Sequence, residues 1–412
     1  MHKHPKTPAD EAASRRVGLW MIGARGSIAT CVAYGLAGLR AGQIEPIGVL
    51  TETEPFIKLG VTPLENLVLG GHDVCTRPLT ESAGELVRHH ILPPDVVTAA
   101  AADAAAFESR IRAGLLDSAD VGLADLNPES SKRGSLGPRE QIRAITEDLD
   151  EFQRDNDLQR VVVVNIASTE AYREARAEWR TLEAFERALD ARTAQPASTL
   201  YAYAALAGGR PYINFTPSLG SSLPALRELA KKHKVPHCGS DGKTGETLVK
   251  TVLAPLFVAR RLKVLAWQGY NMLGNRDGEN LSDPLHRETK LRSKDEALRQ
   301  ILGDPNVHTK VGIDYVPSLR DWKTAWDFIH FEGFLGAQMT LQFSWQGSDS
   351  ALAAPLVIDL ARLADFAAQH GEFGEMLHTA PYFKSPLGGG DHDFHAQFRK
   401  LLDYAQMHTR GA

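Results

Sequence analysis

A short apolar run that leads directly into a glycine turn and an apolar helix is the feature that most constrains the fold of this chain. Val17-Gly-Leu-Trp-Met-Ile22 has the length and composition of a buried strand, Gly23 and Gly26 form the turn, and a helix is predicted from about Ser27 to Leu39. A strand that is apolar along its whole length must be covered on both faces, as in parallel sheets with helices on either side. The sequence therefore predicts an α/β fold.

Further apolar runs indicate how this sheet continues along the chain. Ile47 to Leu50, Val161 to Ile166 and Tyr212 to Phe215 are short and apolar, and helical patterns flank the last two. Strands that alternate with helices form parallel sheets that are covered on both faces. Residues 99–112, which are helical by propensity, and residues 123–139, which have the polar character of a surface loop, interrupt the alternation.

A different pattern begins near residue 250. Three segments alternate between apolar and polar residues as half-buried strands do: Val264–Trp267, Val311–Val316 and Gln338–Trp345. We interpret residues 250–353 as an inserted α+β domain with a mainly antiparallel sheet. The apolar helix from Ala353 to Ala364 would then rejoin the first domain. The predicted division is a disordered tail over 1–16, a first domain of 17–249 plus 354–412, and the insertion between its two parts.

Composition restricts the classes of function. A chain of 412 residues is too long for one simple core, and a formal net charge of −5 argues against a general nucleic-acid binder. No apolar run has the roughly 20 residues of a membrane-spanning helix. The three scattered cysteines, Cys31, Cys75 and Cys238, provide neither a disulfide framework nor a CxxC zinc site, and they favour a reducing, cytoplasmic compartment.

The glycine turn has two interpretations. Where a strand ends in a glycine turn before a helix, backbone N–H groups and the helix N-terminus can bind phosphate, and Gly23-Ala-Arg-Gly26-Ser-Ile-Ala-Thr30 stands in that context. The sequence departs from G-x-G-x-x-G because Met21 occupies the first glycine position. The alternative is a tight turn that binds nothing. Glu52, just after the second apolar run, is either a ribose contact or a solvated loop acid.

Candidate substrate-binding groups lie in the second half of the chain. The loop Gly239-Ser-Asp-Gly-Lys-Thr-Gly245 exposes backbone donors for a ligand, although a polar β-turn has the same composition. Lys290 and Lys294 would share one face of a helix, either around an anion such as a sugar phosphate or simply in solvent. Lys323 and Lys384 stand among aromatic residues. In such surroundings, desolvation would lower the pKa of an ammonium group so that it could act as a general base. Alternatively, the lysine stem would only cover apolar surface.

Other catalytic motifs receive little support. Asp391-His-Asp-Phe-His395 has metal-ligating residue types but no third ligand at a recognisable spacing, so a loop and helix cap are favoured over a metal site. The chain contains no G-x-S-x-G, H-E-x-x-H or G-x-x-x-x-G-K-[ST] motif, which weighs against hydrolases and nucleotide triphosphatases.

Taken together, these segments resemble the inositol-3-phosphate synthase (myo-inositol-1-phosphate synthase) family in its shorter prokaryotic form. The resemblance extends from Gly23 to about His395. Its most specific stretches are Gly239-Ser-Asp-Gly-Lys-Thr-Gly-Glu-Thr247, Tyr270-Asn-Met-Leu-Gly-Asn-Arg-Asp-Gly278, Lys290 with Lys294, Asp321-Trp-Lys323, Ser348-Asp-Ser-Ala-Leu-Ala-Ala-Pro-Leu356 and Phe383-Lys-Ser-Pro386. It implies a Rossmann-type domain made from both ends of the chain, with the insertion contributing the catalytic lid and the contacts of a homotetramer.

The resemblance also implies a reaction, the isomerisation of D-glucose 6-phosphate to 1D-myo-inositol 3-phosphate, which serves inositol and phospholipid biosynthesis. NAD+ oxidises C5, the ketone acidifies C6, an intramolecular aldol step joins C6 to C1, and NADH reduces C5 again. Ammonium groups would stabilise the oxyanions of enolisation and aldol closure, and a lysine of near-neutral pKa would move protons. Two alternatives on the same scaffold are a sugar-phosphate dehydrogenase or epimerase and a non-catalytic dinucleotide sensor.

Four lysines match the active-site lysines of the family by position. The resemblance assigns the phosphate to Lys294, the C1 oxyanion to Lys323, and proton transfer around C5 to Lys290 and Lys384. Other residues match positions that contact the nicotinamide end, the substrate or an active-site cation: Asp241, Asn271, Asn275, Asp277, Asp321 and Asp349.

The resemblance implies a cofactor site as well. Its residues are Gly23, Ala24, Arg25, Gly26, Ser27, Ile28, Asp73, Ala167, Ser168, Thr169, Asp241, Thr244 and Gly245. Within this set, Asp73 of Gly70-Gly-His-Asp73 is a better expected ribose partner than Glu52. The identity of the cation stays open between a divalent metal, with Asp277 as a candidate ligand, and potassium or ammonium. The preference for one cation stays open because Leu248 stands where longer members of the family have a lysine.

Overall fold

The computed structural model describes residues 15–116, 125–274, 298–304 and 306–409. Its larger sheet has seven strands, all paired in parallel, in the order β11-β6-β5-β4-β1-β2-β3. These strands are β1 (Val17–Ile22), β2 (Leu67–Asp73), β3 (Ile111–Ala113), β4 (Arg160–Asn165), β5 (Tyr212–Asn214), β6 (Pro236–Gly239) and β11 (Gly374–Glu375). The order 3-2-1-4-5-6 is that of Rossmann folds, in which ligands bind where the strand order reverses, between β1 and β4.

The smaller sheet has four strands in the order β10-β9-β7-β8. They are β7 (Lys263–Leu273), β8 (His308–Tyr315), β9 (Trp322–Glu332) and β10 (Gln338–Ser348). β7 pairs with β9, and β9 with β10, in antiparallel fashion, whereas β7 and β8 are parallel. The prediction of a parallel α/β sheet together with a separate, mainly antiparallel one is therefore confirmed. β9 is the one strand of this sheet that the sequence pattern did not predict.

Most helices cover the two faces of the larger sheet, and Glu246–Ala259 packs against the smaller sheet. In chain order they are α1 (Ser27–Arg40), α2 (Leu79–Arg88), α3 (Pro94–Ala99), α4 (Ala101–Glu108), α5 (Pro128–Gly134), α6 (Pro138–Asp155), α7 (Leu182–Asp190), α8 (Ala197–Ala207), α9 (Pro224–His233), α10 (Glu246–Ala259), α11 (Asp349–Gln369) and α12 (Phe394–Thr409). Within the described residues, no helix has the length and apolar character needed to cross a membrane.

Strand β1 shows why its sequence is apolar throughout. Leu19 and Met21 pack into one core with α1 and α11, while Trp20 and Ile22 pack into a second core with α6, α7 and α8. Because every side chain of β1 meets one of these two cores, alternation of apolar and polar residues is lost, as expected for a central parallel strand.

Helix α11 returns the chain to the larger sheet directly after β10. Ser348 caps the helix by accepting a hydrogen bond from the N–H group of Ala351 at 3.2 Å. Farther along α11, the buried carboxylate of Asp365 binds Arg15 and accepts from Arg160 Nη1 at 2.7 Å. Arg15 is thus buried within the fold, although it belongs to the predicted disordered tail; residues 1–14 lie outside the described part of the chain.

The predicted second strand, Ile47 to Leu50, is wrong. Ile47 is 83% exposed and a 3-10 turn begins at Leu50, while the strand beside β1 is β2. β2 escaped the pattern because Gly70 and Gly71 interrupt its apolar run. Packing explains both glycines: a Cβ on Gly70 would lie 2.8 Å from Trp20, and one on Gly71 would lie 2.2 Å from the carbonyl oxygen of Met21.

Two other segments also differ from the expectation. The predicted helix over 99–112 ends as α4 at Glu108, and strand β3 begins at Ile111. Residues 123–139 contain α5 and the start of α6 rather than only a surface loop, and residues 117–124 lie outside the described chain. Proline stands at the first position of both helices, where its missing N–H group removes no helical hydrogen bond, so it starts a helix here instead of interrupting one.

Candidate cofactor and substrate site

The glycine turn between β1 and α1 lies at the carboxyl end of β1. Gly23 has φ +90°, and a Cβ at this position would lie 2.8 Å from the backbone of Ala167. Gly26 is the N-cap residue of α1 and offers no side-chain cap, and the first intrahelical bond runs from Thr30 N to Gly26 O at 3.0 Å. The first-turn N–H groups of Ser27 and Ile28 therefore precede the helical ladder and point towards the space in front of the helix. This geometry fits a phosphate group.

Asp73 ends β2, next to that turn. Its Oδ2 accepts from the backbone N–H of Arg25 at 2.7 Å, and its Oδ1 accepts from Cys75 N at 2.9 Å. Burial raises the pKa of Asp73, and these backbone donors oppose that shift. Glu52, the other sequence candidate, instead forms an ion pair with Arg362 at 2.6 Å. In dinucleotide-binding sheets, the acidic residue that hydrogen-bonds the ribose stands at the end of the second strand.

The segment after β4 completes this edge of the sheet. The side-chain carbonyl of Asn165 accepts from Ala167 N at 3.2 Å, and its amide group donates to Thr216 Oγ1 at 3.3 Å. Ser168 is exposed and Thr169 is buried. Asn165 ends β4 and Thr216 follows the neighbouring β5. The close approach of Ala167 to Gly23 brings the predicted segment 167–169 against the glycine turn, at the point where the strand order reverses.

The loop after β6 contains Asp241, which forms an ion pair with another residue predicted for the substrate region. Asp241 N donates to Thr216 O at 3.0 Å, which ties the loop to the same edge of the sheet. Lys384 Nζ lies 2.7 Å from Asp241 Oδ1, and the backbone N of Lys384 donates to the carbonyl oxygen of Asp241 at 2.7 Å. Both side chains are buried. A buried lysine paired with a carboxylate can exchange a proton with a ligand that reaches it.

A second group of predicted residues lies where β9 and β10 meet α11. Asp349 Oδ1 accepts from Thr244 Oγ1 at 2.9 Å, and Lys323 Nζ lies 3.4 Å from Asp349 Oδ2. Asp349 thus joins the loop after β6 to the smaller sheet. Asp321 accepts from Ser348 Oγ at 2.6 Å, and burial raises the pKa of Asp321 to about 6 despite the bonds from the serine hydroxyls.

Asn271 is buried on the same face of the smaller sheet as Lys323. β7 and β9 pair Asn271 with Ala325 and Leu273 with Lys323, so these side chains share one face. Neither Oδ1 nor Nδ2 of Asn271 has a hydrogen-bond partner among the described residues, although the residue is fully buried. An orphaned buried amide costs about 1–3 kcal/mol, which a bound polar ligand would recover.

Several sequence candidates cannot be placed. Asn275, Asp277, Lys290 and Lys294 lie outside the described residues. Over the ranges that are described, no three His, Cys, Asp or Glu side chains are grouped as metal ligands. Within Asp391–His395, Asp393 accepts from His395 N and Asp391 accepts from Asp393 N, each at 2.8 Å, just before and at the start of α12. This segment therefore forms the loop and helix cap that the sequence favoured.

Lys243 is a buried residue of the candidate loop that its sequence did not single out. It is 2% exposed, and its Nζ donates to Gln397 Oε1 at 2.7 Å and lies 5.7 Å from the centre of the Phe394 ring. Burial, reinforced by the like charge of Lys384, lowers the pKa of Lys243 to about 7. Its place between Asp241 and Thr244 was the available signal, but burial by α12 cannot be read from the loop sequence.

A buried charged cluster lies behind this loop and was also missed. Lys250 pairs with Glu246 one turn earlier in α10, and with Asp327 of β9 at 3.2 Å. Trp267 Nε1 donates to Asp327 at 2.8 Å. Burial raises the pKa of Asp327 to about 6, although Lys250 opposes the shift. The cluster joins α10, whose N-terminus follows the candidate loop, to the smaller sheet.

The chain is similar to known proteins over almost its whole length. The profile of an NAD-binding family described as myo-inositol-1-phosphate synthase matches residues 17–405. The chain is 34% identical over 411 residues to inositol-3-phosphate synthase 1 of Bacteroides thetaiotaomicron, covering 93% of this chain and 92% of that protein. It is 34% identical over 249 residues to human inositol-3-phosphate synthase 1, covering 58% of this chain and 44% of the human protein.

Solved structures show the same fold. Inositol-3-phosphate synthase from Caenorhabditis elegans superposes with a TM-score of 0.85 at 24% identity, covering 96% of this chain and 86% of that one. A myo-inositol-1-phosphate synthase-related protein from Thermotoga maritima has a TM-score of 0.74 at 24% identity, covering 95% and 99% of the two chains.

Proposed function

The chain belongs to the myo-inositol-1-phosphate synthase family, and from that premise we propose that the residues gathered between the glycine turn and Lys384 are its active site. The protein is an NAD-dependent isomerase that converts D-glucose 6-phosphate to 1D-myo-inositol 3-phosphate. The contact between Lys384 and Asp241 carries the assignment of the site, because it places a buried lysine beside the edge of the sheet that has the dinucleotide geometry.

For the cofactor, the proposal uses the turn of residues 23–28, Asp73 and residues 167–169. The uncapped N-terminus of α1 would hold the pyrophosphate, and Asp73 would accept from ribose hydroxyl groups. The loop residues Asp241, Thr244 and Gly245 would stand at the nicotinamide end. The distances around Asp73 and the backbone contact between Gly23 and Ala167 support this placement.

For the chemistry, NAD held by these residues would supply the hydride acceptor and donor needed at C5. Lys384, paired with Asp241, would move a proton at the C5 oxygen. Lys323, near Asp349, would stabilise the oxyanion that forms at C1. Lys290 would share proton transfer and Lys294 would bind the phosphate, as the family resemblance assigns them. Asn271, whose amide is buried without a described partner, would contact the sugar.

The cation is part of the same proposal. Of the six residues that match family positions at the nicotinamide end, the substrate or a cation, we assign Asn275, Asp277, Asp321 and Asp349 to the surroundings of a divalent metal or a potassium or ammonium ion. Of these, Asp321 and Asp349 are described, and Asp349 bridges Thr244 and Lys323. Since Asp349 already faces an ammonium group, a cation there would have to compete with Lys323 for the carboxylate.

The exposed face of the smaller sheet supports a homotetramer. Tyr270 and Trp326 are paired across β7 and β9, are 44% and 41% exposed, and point away from the face that carries Lys323. Phe334 and Leu335, in the turn before β10, are 89% and 88% exposed. Aromatic residues on an open sheet face are typical of a surface that another copy of the chain covers.

The free cysteines support the proposed cytoplasmic compartment.

Incubation with carbon-13-labelled glucose 6-phosphate and NAD+, followed by NMR, tests the assigned reaction. We expect inositol phosphate to form without accumulation of NADH. Accumulation of NADH with an open-chain oxidised sugar would instead indicate a dehydrogenase. A cation titration in the same assay distinguishes a divalent metal from potassium or ammonium, because only the required ion restores the rate after chelation and desalting.

A further inference from the structure

His72 connects the two parts of the proposed dinucleotide site through its backbone. It directly precedes Asp73 in β2, and its carbonyl oxygen accepts from Gly23 N at 2.9 Å and from Ala24 N at 3.1 Å. Asp73 accepts from the next N–H group, that of Arg25. Three consecutive N–H groups of the glycine turn are therefore held by His72 and its neighbour, so the position of His72 determines where the turn stands.

The side chain of His72 is fully buried, and both its ring nitrogens have assigned partners. Trp20 Nε1 is 2.9 Å from His72 Nδ1, and an indole N–H can only donate, so Nδ1 must be the acceptor. His72 Nε2 lies 2.9 Å from Asp148 Oδ2 and must carry the hydrogen. Only the neutral Nε2–H tautomer satisfies both contacts, because an imidazolium would place a second N–H against that of Trp20.

The charged groups that face this ring continue the network. Arg133 Nη1 lies 3.5 Å from His72 Nε2, but its two hydrogens are donated to Asp148 Oδ2 and to the carbonyl oxygen of Ala113, both at 2.6 Å. Burial lowers the pKa of His72, and Asp148 only partly opposes that shift. For Asp148, burial would raise the pKa, but the bonds from His72 and Arg133 lower it. A chain of contacts thus runs from β1 through β2 to α6, α5 and β3, directly under the proposed ribose site.

We propose that His72 is a positioning residue of the dinucleotide site, held as a neutral Nε2–H imidazole by Trp20 and Asp148 so that the glycine turn and Asp73 keep the spacing that NAD requires. The proposal rests on the proposed placement of NAD at this turn. His72 does not touch the cofactor, since its ring lies in the core formed with Tyr201 and Phe152. It therefore acts on cofactor affinity rather than on the chemical step.

Nitrogen-15 NMR of histidine-labelled protein tests the tautomer without any change to the network, with the His72 signals assigned by their loss in His72→Gln. We expect a neutral Nε2–H ring between pH 6 and pH 8, about the range over which an unperturbed histidine titrates. An Nδ1–H tautomer or a charged ring at pH 7 would overturn the proposal.

Cofactor titration of two variants tests the function. Trp20→Phe removes the donor to Nδ1, and Asp148→Ala removes the acceptor of Nε2–H. Each should raise the Kd for NAD+ by about tenfold, the equivalent of about 1.4 kcal/mol. kcat at saturating NAD+ and KM for glucose 6-phosphate should stay within about twofold of the parent values, because the network acts on cofactor binding and not on the chemical step. Asp148→Asn, whose carbonyl still accepts from Nε2, should recover most of the affinity.

Two controls separate the outcomes. His237 is another fully buried histidine of the same sheet, bonded to Ser221 at 2.9 Å, and His237→Gln should leave the Kd for NAD+ unchanged. Asp73→Ala tests the site itself. If Asp73→Ala weakens NAD+ binding and the folded Trp20 and Asp148 variants do not, the role of His72 is wrong. If Asp73→Ala also has no effect, the cofactor site is misplaced.

Discussion

Lys384 and Asp241 are joined twice, by an ion pair of 2.7 Å between Nζ and Oδ1 and by a backbone hydrogen bond of 2.7 Å from Lys384 N to Asp241 O. The backbone bond holds the two chain segments together independently of the side chains. The side chain of Lys384 can therefore be substituted without separation of the loop after β6 from the segment that precedes α12.

Replacement of Lys384 by alanine should leave NAD+ binding intact and abolish turnover. Loss of a group that transfers protons in the transition state lowers kcat by about 10²- to 10⁴-fold. Steady-state kinetics and NAD+ titration measure the two properties separately. Lys400→Ala, at an exposed lysine of α12, is the matched control and should keep the parent activity. Activity near the parent level in Lys384→Ala would remove this residue from the mechanism.

Substitution of Asp73 by asparagine should weaken NAD+ binding by about tenfold or more, because a carboxylate bonds hydroxyl groups more strongly than an amide does. Glu52→Gln is the matched control, since Glu52 was the competing ribose candidate and instead pairs with Arg362. Calorimetric titration with NAD+ distinguishes the two variants. Equal losses of affinity, or a loss confined to Glu52→Gln, would contradict the assignment of Asp73.

Lys243 should make stability depend on pH. Its pKa is about 7 in the folded protein and its ordinary value is 10.5, so the unfolded chain binds more protons between these values. Stability should therefore rise as the pH increases from 7 towards 10, by at most about 1.4 kcal/mol per unit from this group. Urea unfolding at pH 7, 8 and 9 measures the slope, and Lys243→Met should flatten it. An unchanged slope in that variant would show that Lys243 is not the titrating group.

Asn271→Leu should separate stability from activity. The amide of Asn271 has no described partner, so an apolar side chain of similar size should leave the free energy of unfolding unchanged or raise it by up to about 1 kcal/mol. The melting temperature should therefore stay the same or rise. If the amide contacts the sugar, kcat/KM should fall by about tenfold or more, as one lost hydrogen bond to a buried group predicts. A variant that melts early, or that keeps full activity, would contradict this role.

Trp326→Asp should dissociate the proposed homotetramer. A carboxylate in the middle of the exposed aromatic face would be buried without a partner if another copy covers it. Light scattering after size-exclusion chromatography measures the mass of the parent and the variant. The control is Lys263→Asp, at the exposed start of β7, which introduces a carboxylate away from the aromatic centre with an even larger change of net charge. Identical masses for the parent and Trp326→Asp would exclude this face as an interface.

Local sequence determined those features that depend on neighbours along the chain. The apolar run Val17–Ile22, followed by Gly23 and Gly26, was sufficient to predict β1, the turn and α1, because a central parallel strand and a phosphate-type turn each have a local signature. The motif residues Asp241, Lys323 and Lys384 were likewise recognised from short segments. The structure pairs Lys384 with Asp241 and Lys323 with Asp349.

Tertiary structure decided those features that depend on what packs against a residue. The sequence pattern did not predict β2 because two of its residues, Gly70 and Gly71, are glycines. They pack closely against the side chain of Trp20 and the backbone of Met21, which are distant in sequence. The same holds for Lys243, which meets Gln397 at a separation of 154 residues, and for the ring of His72. Burial and hydrogen-bond partners set the protonation of such groups, and a partner brought by the fold leaves no pattern in the local sequence.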